Sequence, residues 1–236
     1  MFFPSFRYCF KAFSALFFPH NCAGCNSPAL PESAGICAQC LSKLPITGYL
    51  SEPGNAVEQV FWGRLPVSRA AACCFFTKKS RVQSALHQIK YHFRKDAALQ
   101  IGEWMGNQLA NSGWCANVDL LLPMPLHRKR EQERGYNQAA LLCDGISDKL
   151  NIPTLHHALV RKSATRSQTK QHRAERWENM QGVFAIADPN LLINKHVLLV
   201  DDVITTGATL EAMGEILLKV PGLKLSILCF AYTVKH

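Results

Sequence analysis

Two neighbouring carboxylates, Asp201 and Asp202, stand just ahead of the run Thr205-Thr206-Gly207-Ala208-Thr209. Paired acids accept hydrogen bonds from a diol or hold a magnesium ion. Three hydroxyls, with a glycine that lets a ligand approach the backbone, suit a phosphate. The elements needed to hold this chemistry flank it. Val197 to Val200 is an unbroken apolar run that fits a central strand covered on both faces. Leu210 to Val220 fits a helix. Strand, short polar loop and helix aim backbone N–H groups and a positive helix end at one anion. A ligand carrying a 5-phosphate, vicinal hydroxyls and a metal-bound diphosphate would satisfy all these groups together. No Gly-Lys-Ser/Thr follows a glycine-rich turn, so this is not a Walker loop.

A second cluster lies near the other end of the chain. Cys22-Ala-Gly-Cys25 and Cys37-Ala-Gln-Cys40 are two Cys-x-x-Cys knuckles separated by a short polar spacer. Four thiolates at this spacing suit one tetrahedral Zn2+. Gly24 lets the first knuckle turn back so that N–H groups face the sulfurs. Redox dithiols usually come as a single pair, so zinc is the better reading, with His20 as a neighbour. So short a segment buries too little to fold alone, and the metal is expected to supply its stability. Cys9, Cys73, Cys74, Cys115, Cys143 and Cys229 lie in apolar contexts and read as packing.

Between the two clusters lie cationic segments. Arg130 and Arg134 follow the buried-type strand Val118–Pro123 and lead into a helix from Gln138 to about Leu150. If that strand runs parallel to Val197–Val200, both arginines could reach a diphosphate. The bland reading is a charged helix start with Arg–Glu surface pairs, and on this segment alone the two weigh the same. Arg161 to Asn179 is a long basic and polar stretch. It reads as a lid over an anionic ligand, as a nucleic-acid contact with Trp177 or His172 stacking on bases, or as a solvated loop.

The bulk properties agree with a soluble α/β domain plus a small appendage. The 236 residues carry a net charge of +9 and are 48% hydrophobic. That basicity points toward polyanions or phosphorylated ligands, though a generally basic surface gives the same number. Cysteines in metal spacing suit a reducing cytosol, and no stretch approaches the ~20 apolar residues of a membrane helix. Residues 1–18 are aromatic but broken by Pro4, Arg7 and Lys11, which fits an amphipathic helix better than a signal peptide. The expected organisation is an N-terminal helix and four-cysteine zinc module over 1–48, a Pro/Gly-containing linker over 49–69, and the main domain over 70–236. Further elements are expected as strands at 70–76, 155–160, 182–186 and 223–233, and as helices from Ser80 and from Ala97.

The Asp201–Thr209 stretch closely resembles the 5-phosphoribosyl-1-diphosphate (PRPP) loop of the type I phosphoribosyltransferases. With the four cysteines, Ile89-Lys90-Tyr91, Pro123-Met-Pro-Leu-His127, Arg130, Arg134-Gly-Tyr-Asn-Gln138, Arg161, Thr165, Gln168, Arg176, Asn179, Gly182 and Phe184, nearly the whole chain resembles the ComF family of competence-associated proteins. The family often has a glycine where Phe93 stands here, a departure that concerns the local turn. The resemblance implies a type I phosphoribosyltransferase-like, Rossmann-like fold with a mostly parallel sheet, joined to a zinc-ribbon or knuckle module. It implies PRPP or ribose-phosphate binding with Mg2+, and it makes Lys90 a ligand-facing residue rather than a solvated one. It further implies a cytoplasmic role in taking up transforming single-stranded DNA, beside a helicase-like ATPase. Purine transferases usually carry a third acid where Thr205 stands, so purine chemistry of that type is not supported. Two functions follow as expectations: a PRPP-binding protein that handles incoming single-stranded DNA, or an active phosphoribosyltransferase whose acceptor the sequence does not name.

Overall fold

The computed structural model describes residues 21–28, 30–31, 34–114, 116–161 and 183–234. The expected N-terminal helix, His20, and the basic stretch beyond Arg161 with its Trp177 lie outside the described residues. The centre is a sheet of four strands: β1 (Arg69–Phe76), β2 (Leu120–Pro123), β5 (His196–Ile204) and β6 (Lys224–Thr233). Their order is β1-β6-β5-β2, and every pair is parallel. A parallel sheet must be covered on both faces, and the strands carry the matching pattern of buried residues on both sides. Ala71, Cys73, Leu121, Leu198, Val200, Leu228 and Phe230 face one core. Their neighbours Ala70, Ala72, Leu122, Val197, Leu199, Ile227 and Cys229 face the other.

Helices α3 (Arg81–Tyr91), α4 (Lys95–Ser112) and α6 (Gln138–Leu150) cover the first face through Val82, Leu86, Ile89, Ile101, Met105, Leu142 and Ile146. Helix α7 (Ala208–Leu217) covers the second through Leu210, Met213 and Leu217. Side-chain caps set the helix starts: Ser80 accepts from the Gln83 N–H, and Asn137 from the Ala139 N–H. A short helix α5 (Arg128–Arg134) precedes α6, and a small antiparallel pair, β3 (Leu159–Arg161) and β4 (Phe184–Ile186), follows it.

The chain leaves β2 toward α6 on one face and leaves β5 toward α7 on the other. Neighbouring parallel strands whose connections part in this way open a crevice at their carboxyl ends. Strand β5 runs further than the apolar run suggests, because its pairing with β6 continues through Asp201 and Val203 to Ile204. Its pairing with β2 stops at Val200. The two acids therefore lie inside a strand on one flank and beyond the sheet on the other.

The four-cysteine segment is seated on the first core. Ile36 and Leu44 are buried, and Cys22, Ala23 and Cys40 join the same cluster as α3 and α4. Gln100 on α4 accepts from the N–H groups of Gly35 and Ile36 at 2.9 and 2.8 Å. Arg94 donates to the carbonyls of Asn21 and Gly35, and Ser84 donates to the Ala23 carbonyl. Two large buried side chains contribute about 1.5–3 kcal/mol each. Ordering the backbone opposes folding by about 1–2 kcal/mol per residue.

The stretch 49–69 differs from the irregular chain expected there. Its middle forms helix α2 (Ala56–Phe61), which follows the short knuckle helix α1 (Ala38–Ser42). The buried Asn55 side chain accepts from the Val57 and Glu58 N–H groups, and its amide donates to the Ala70 carbonyl. Val57 and Phe61 are fully buried in the second core. Proline and glycine on either side signalled a break, and the intervening two-turn helix is too short to show a period.

Candidate ribose-phosphate cleft and cysteine cluster

The crevice at the carboxyl ends of β2 and β5 is a cavity of about 170 Å³, and Lys90, Arg130, Arg134, Arg161, Asp201, Asp202 and Thr209 are among its lining residues. Thr205, Thr206, Gly207 and Ala208 line an adjoining hollow that shares Asp201 and Thr209. Lys90, in the last turn of α3, places Nζ 2.7 Å from Asp202 Oδ2. The Asp202 N–H donates to Asp201 Oδ1 at 2.8 Å. Burial, then the charge of Asp202, pushes the Asp201 carboxyl up to about 7. That N–H, Lys90 and Arg161 pull in the opposite direction. A carboxyl so placed is short of compensating positive charge, and a cation or a hydroxyl donor would relieve it.

Gly207 caps α7 at φ 75°, in the left-handed region. A Cβ there would come within 2.5 Å of Val60 Cγ1 on α2. The loop is thus pressed against α2 on its inner side. Arg64, just past α2, pairs with the buried Glu211 of α7 at 2.9 Å. Val60, Phe61 and Arg64 brace the loop from a segment far away in sequence, and no local pattern marks them.

The arginines approach from the other wall. Arg130 is exposed; Arg134 is half-buried, donates to Gln138 Oε1 at 2.8 Å and lies 5.7 Å from the Tyr91 ring. Asn137, which caps α6, also donates to the Met124 carbonyl and so ties the start of α6 to the end of β2. Arg161 carries a positive charge disfavoured by burial and by Arg130, which Asp201 offsets. Among the described residues its Nε has no hydrogen-bond partner. Three guanidiniums and a lysine facing two carboxylates form a site polarised from one wall to the other. Phe93 takes φ 54°, a left-handed conformation that a bulky side chain rarely adopts.

In the cysteine cluster the four Sγ atoms lie within 4.8 Å of one another. The Cys25–Cys37 separation is 3.9 Å, close to the ~3.8 Å edge of a zinc–thiolate tetrahedron with ~2.3 Å bonds. Cys22 Sγ accepts from the N–H groups of Gly24 and Cys37 at 3.4 and 3.3 Å. Burial works against the Cys22 thiolate, but N–H groups of Cys37, Cys25 and Gly24 outweigh it and bring the thiol down to about 6. Burial and hydrogen bonds from the other cysteines push Cys40 up. A Cβ on Gly24 would come 2.9 Å from Cys40 Sγ, so the knuckle closes around that glycine. Four soft donors in this arrangement can hold a metal ion such as zinc. Cys73, Cys74, Cys143 and Cys229 are buried in the cores as packing.

Residues 137–234 match the phosphoribosyl transferase domain family, a span from α6 to the last strand that includes the Asp201–Thr209 loop. The chain is 27% identical over 217 residues to the DNA utilization protein YhgH of Escherichia coli O157:H7, covering 90% of this chain and 84% of that one. It is 38% identical over 102 residues to competence protein F of Haemophilus influenzae, 43% of this chain and 44% of that protein. It is 37% identical over 100 residues to competence protein ComFC of Bacillus subtilis, 42% of this chain and 38% of that one. An adenine phosphoribosyltransferase from Leishmania tarentolae is similar only loosely, with a TM-score of 0.38 at 14% identity over 80% of this chain and 94% of that one. Its parallel sheet and its matching domain give the chain a phosphoribosyltransferase-type fold, and the proteins it is similar to along its length are named for DNA utilization and competence.

Proposed function

We propose that this protein binds PRPP, or a related ribose phosphate, together with Mg2+, and that it does so while handling single-stranded DNA taken into the cytoplasm. The observation that carries the ligand is the polarised cleft, with Lys90, Arg130, Arg134 and Arg161 across from Asp201 and Asp202 beside a threonine-rich loop at a helix start. Thr205, Thr206, Thr209 and the N–H groups from Gly207 onward would hold the 5-phosphate. Asp201 and Asp202 would accept from the ribose hydroxyls, and Lys90 would give up its ion pair with Asp202 to reach the diphosphate. Arg130, Arg134 and Arg161 would pair with the diphosphate oxygens in bidentate fashion. Bound Mg2+ would neutralise charge on that diphosphate. The DNA role is supported by relatives named for DNA utilization and competence, and by the net charge of +9. Four cysteines set for a metal suit a compartment that keeps thiols reduced. Among the described residues no helix is long and apolar enough to cross a membrane.

The same arrangement would also support transfer. An arginine wall facing a diphosphate stabilises charge growing on that group as it leaves the anomeric carbon. Release of diphosphate from PRPP with a base, amine or nucleotide acceptor would establish turnover. The ligand reading is tested by calorimetric titration of the purified chain with PRPP and Mg2+. Binding is expected in the wild type and is expected to vanish in Asp201→Asn/Asp202→Asn, whose thermal melt stays cooperative. Equal affinity in the two proteins overturns the site.

A further inference from the structure

The outer surface of α3 carries exposed rings that the proposed cleft does not use, beside a concavity that shares Lys90, Arg130 and Arg134 with it. The face of α3 opposite the buried Val82, Leu86 and Ile89 presents Ser84, His87 and Tyr91, spaced by three and four residues. At its start a concavity of about 430 Å³ is lined by residues that include Gly24, Lys79, Arg81 and His87. At its end another, of about 450 Å³, is lined by Lys90, Tyr91, Phe93, Arg130, Glu133 and Arg134. The two are joined by rings. His87 lies 4.9 Å from Tyr91 and 5.4 Å from His92, and the Arg134 guanidinium lies 5.7 Å from the Tyr91 ring. Tyr91 is 61% exposed and Phe93 63% exposed, and both line the concavity next to the cleft. Large exposed rings among cations have no role in packing this core.

We infer that this face is a docking track for single-stranded nucleic acid, with unpaired bases stacked on Tyr91 and His87 and the phosphates against Lys79 and Arg81, up to the edge of the cleft. The inference rests on the nucleic-acid reading above and gives it a location. Cations outnumber the one acid, Glu133, in the two concavities, which fits a polyanion. Tyr91 keeps 61% of its surface in solvent, and such a ring selects unpaired bases, since a duplex hides its base faces, and tolerates any sequence. From Arg81 to Tyr91 the helix extends about 15 Å, enough for roughly four nucleotides at the ~3.4 Å spacing of a stacked strand. The track ends where Lys90 enters the ribose-phosphate cleft, so a strand on α3 would lead directly to it.

Fluorescence anisotropy of a labelled twelve-nucleotide oligo-dT with the full chain tests this. Tyr91→Leu is expected to weaken binding at least about fivefold, the lower end of what one base–ring stack contributes. Tyr91→Trp is expected to retain wild-type binding, and His87→Leu added to Tyr91→Leu to weaken it further. An abasic strand of the same length should bind wild type and Tyr91→Leu alike. Because Tyr91 is exposed, an unchanged thermal melt shows that the variant folds. Tyr91→Leu that binds oligo-dT like the wild type sinks the track alone, as does a loss of equal size with the abasic strand. A wild type that binds no oligo-dT, or prefers an acidic peptide or a duplex of equal charge, sinks the nucleic-acid reading and the track with it.

Discussion

The cysteine knuckle and the ribose-phosphate cleft are built by opposite means. The knuckle's four ligands come from one short segment, Cys22 to Cys40, and a glycine and a few N–H groups suffice to converge the sulfurs. The cleft draws Lys90, Arg130, Arg134, Arg161, Asp201 and Thr209 from separate elements, and only the order of the strands brings them together. The knuckle is therefore close-ranged and is expected to depend on a bound metal, whereas the cleft sits on two packed cores. A site that depends on its own ligand should fail as a fold when disturbed. A site mounted on a packed sheet should fail as a site and leave the fold standing.

The largest expected effect is on the knuckle. Structural zinc sites are worth on the order of 10 kcal/mol in small peptides, comparable with the entire ~5–15 kcal/mol stability of a domain. Cys22→Ser removes the sulfur that accepts two backbone N–H groups. Metal content is expected to fall well below one ion per chain. The segment up to Leu44 should become open to protease while β5 and β6 stay protected in hydrogen exchange. If the whole sheet loses protection together, the two regions are one cooperative unit and the contrast breaks.

A smaller effect is expected where the cleft is braced. Gly207→Ala puts a side chain on a residue already left-handed, at about 1–2 kcal/mol, and a Cβ 2.5 Å from Val60 Cγ1 adds a clash. Denaturant unfolding should show a loss of about 2 kcal/mol or more, and PRPP titration a weakened site. Adding Val60→Ala should relieve the clash and leave the backbone strain, so rescue should be partial. Full rescue would mean that the loop relaxes freely and that α2 does not brace it.

These contrasts track what could be read from the sequence. The knuckle was legible because its ligands are neighbours at a spacing with few other uses. The Asp201–Thr209 loop was legible because strand, loop and helix follow one another, and Gln138–Leu150 because its apolar period and its cap agree. Arg130 and Arg134 could not be decided locally, since a charged helix start and a ligand wall look alike until the parallel register of β2 on β5 sets them beside the acids. The brace formed by Val60, Phe61 and Arg64 left no signal. Its segment is short, its partners Gly207 and Glu211 lie far along the chain, and its prolines and glycines suggested a linker. The apolar run ends at Val200 although β5 reaches Ile204, because its last residues pair on one side only.

The smallest expected effect concerns the strain that the mounted site carries. The Asp201 carboxyl is raised from 3.8 to about 7, first by burial and then by Asp202. Between those values the folded protein keeps a proton that the unfolded chain has lost, so protons bound are fewer in the unfolded state. Stability must then fall as pH rises through this window and level off above about 7, by at most about 1.4 kcal/mol per pH unit for one proton. Histidines and cysteines titrate nearby, so the test is a difference. Melts of wild type and Asp201→Asn are compared from pH 5.5 to 7.5 without ligand. The stability of the wild type relative to Asp201→Asn is expected to drop across that range and to be flat beyond it. A flat difference throughout would mean that Asp201 is ionised in the folded protein at every pH tested, already compensated by Lys90 and Arg161, and that the cleft holds no such strain for a ligand to relieve.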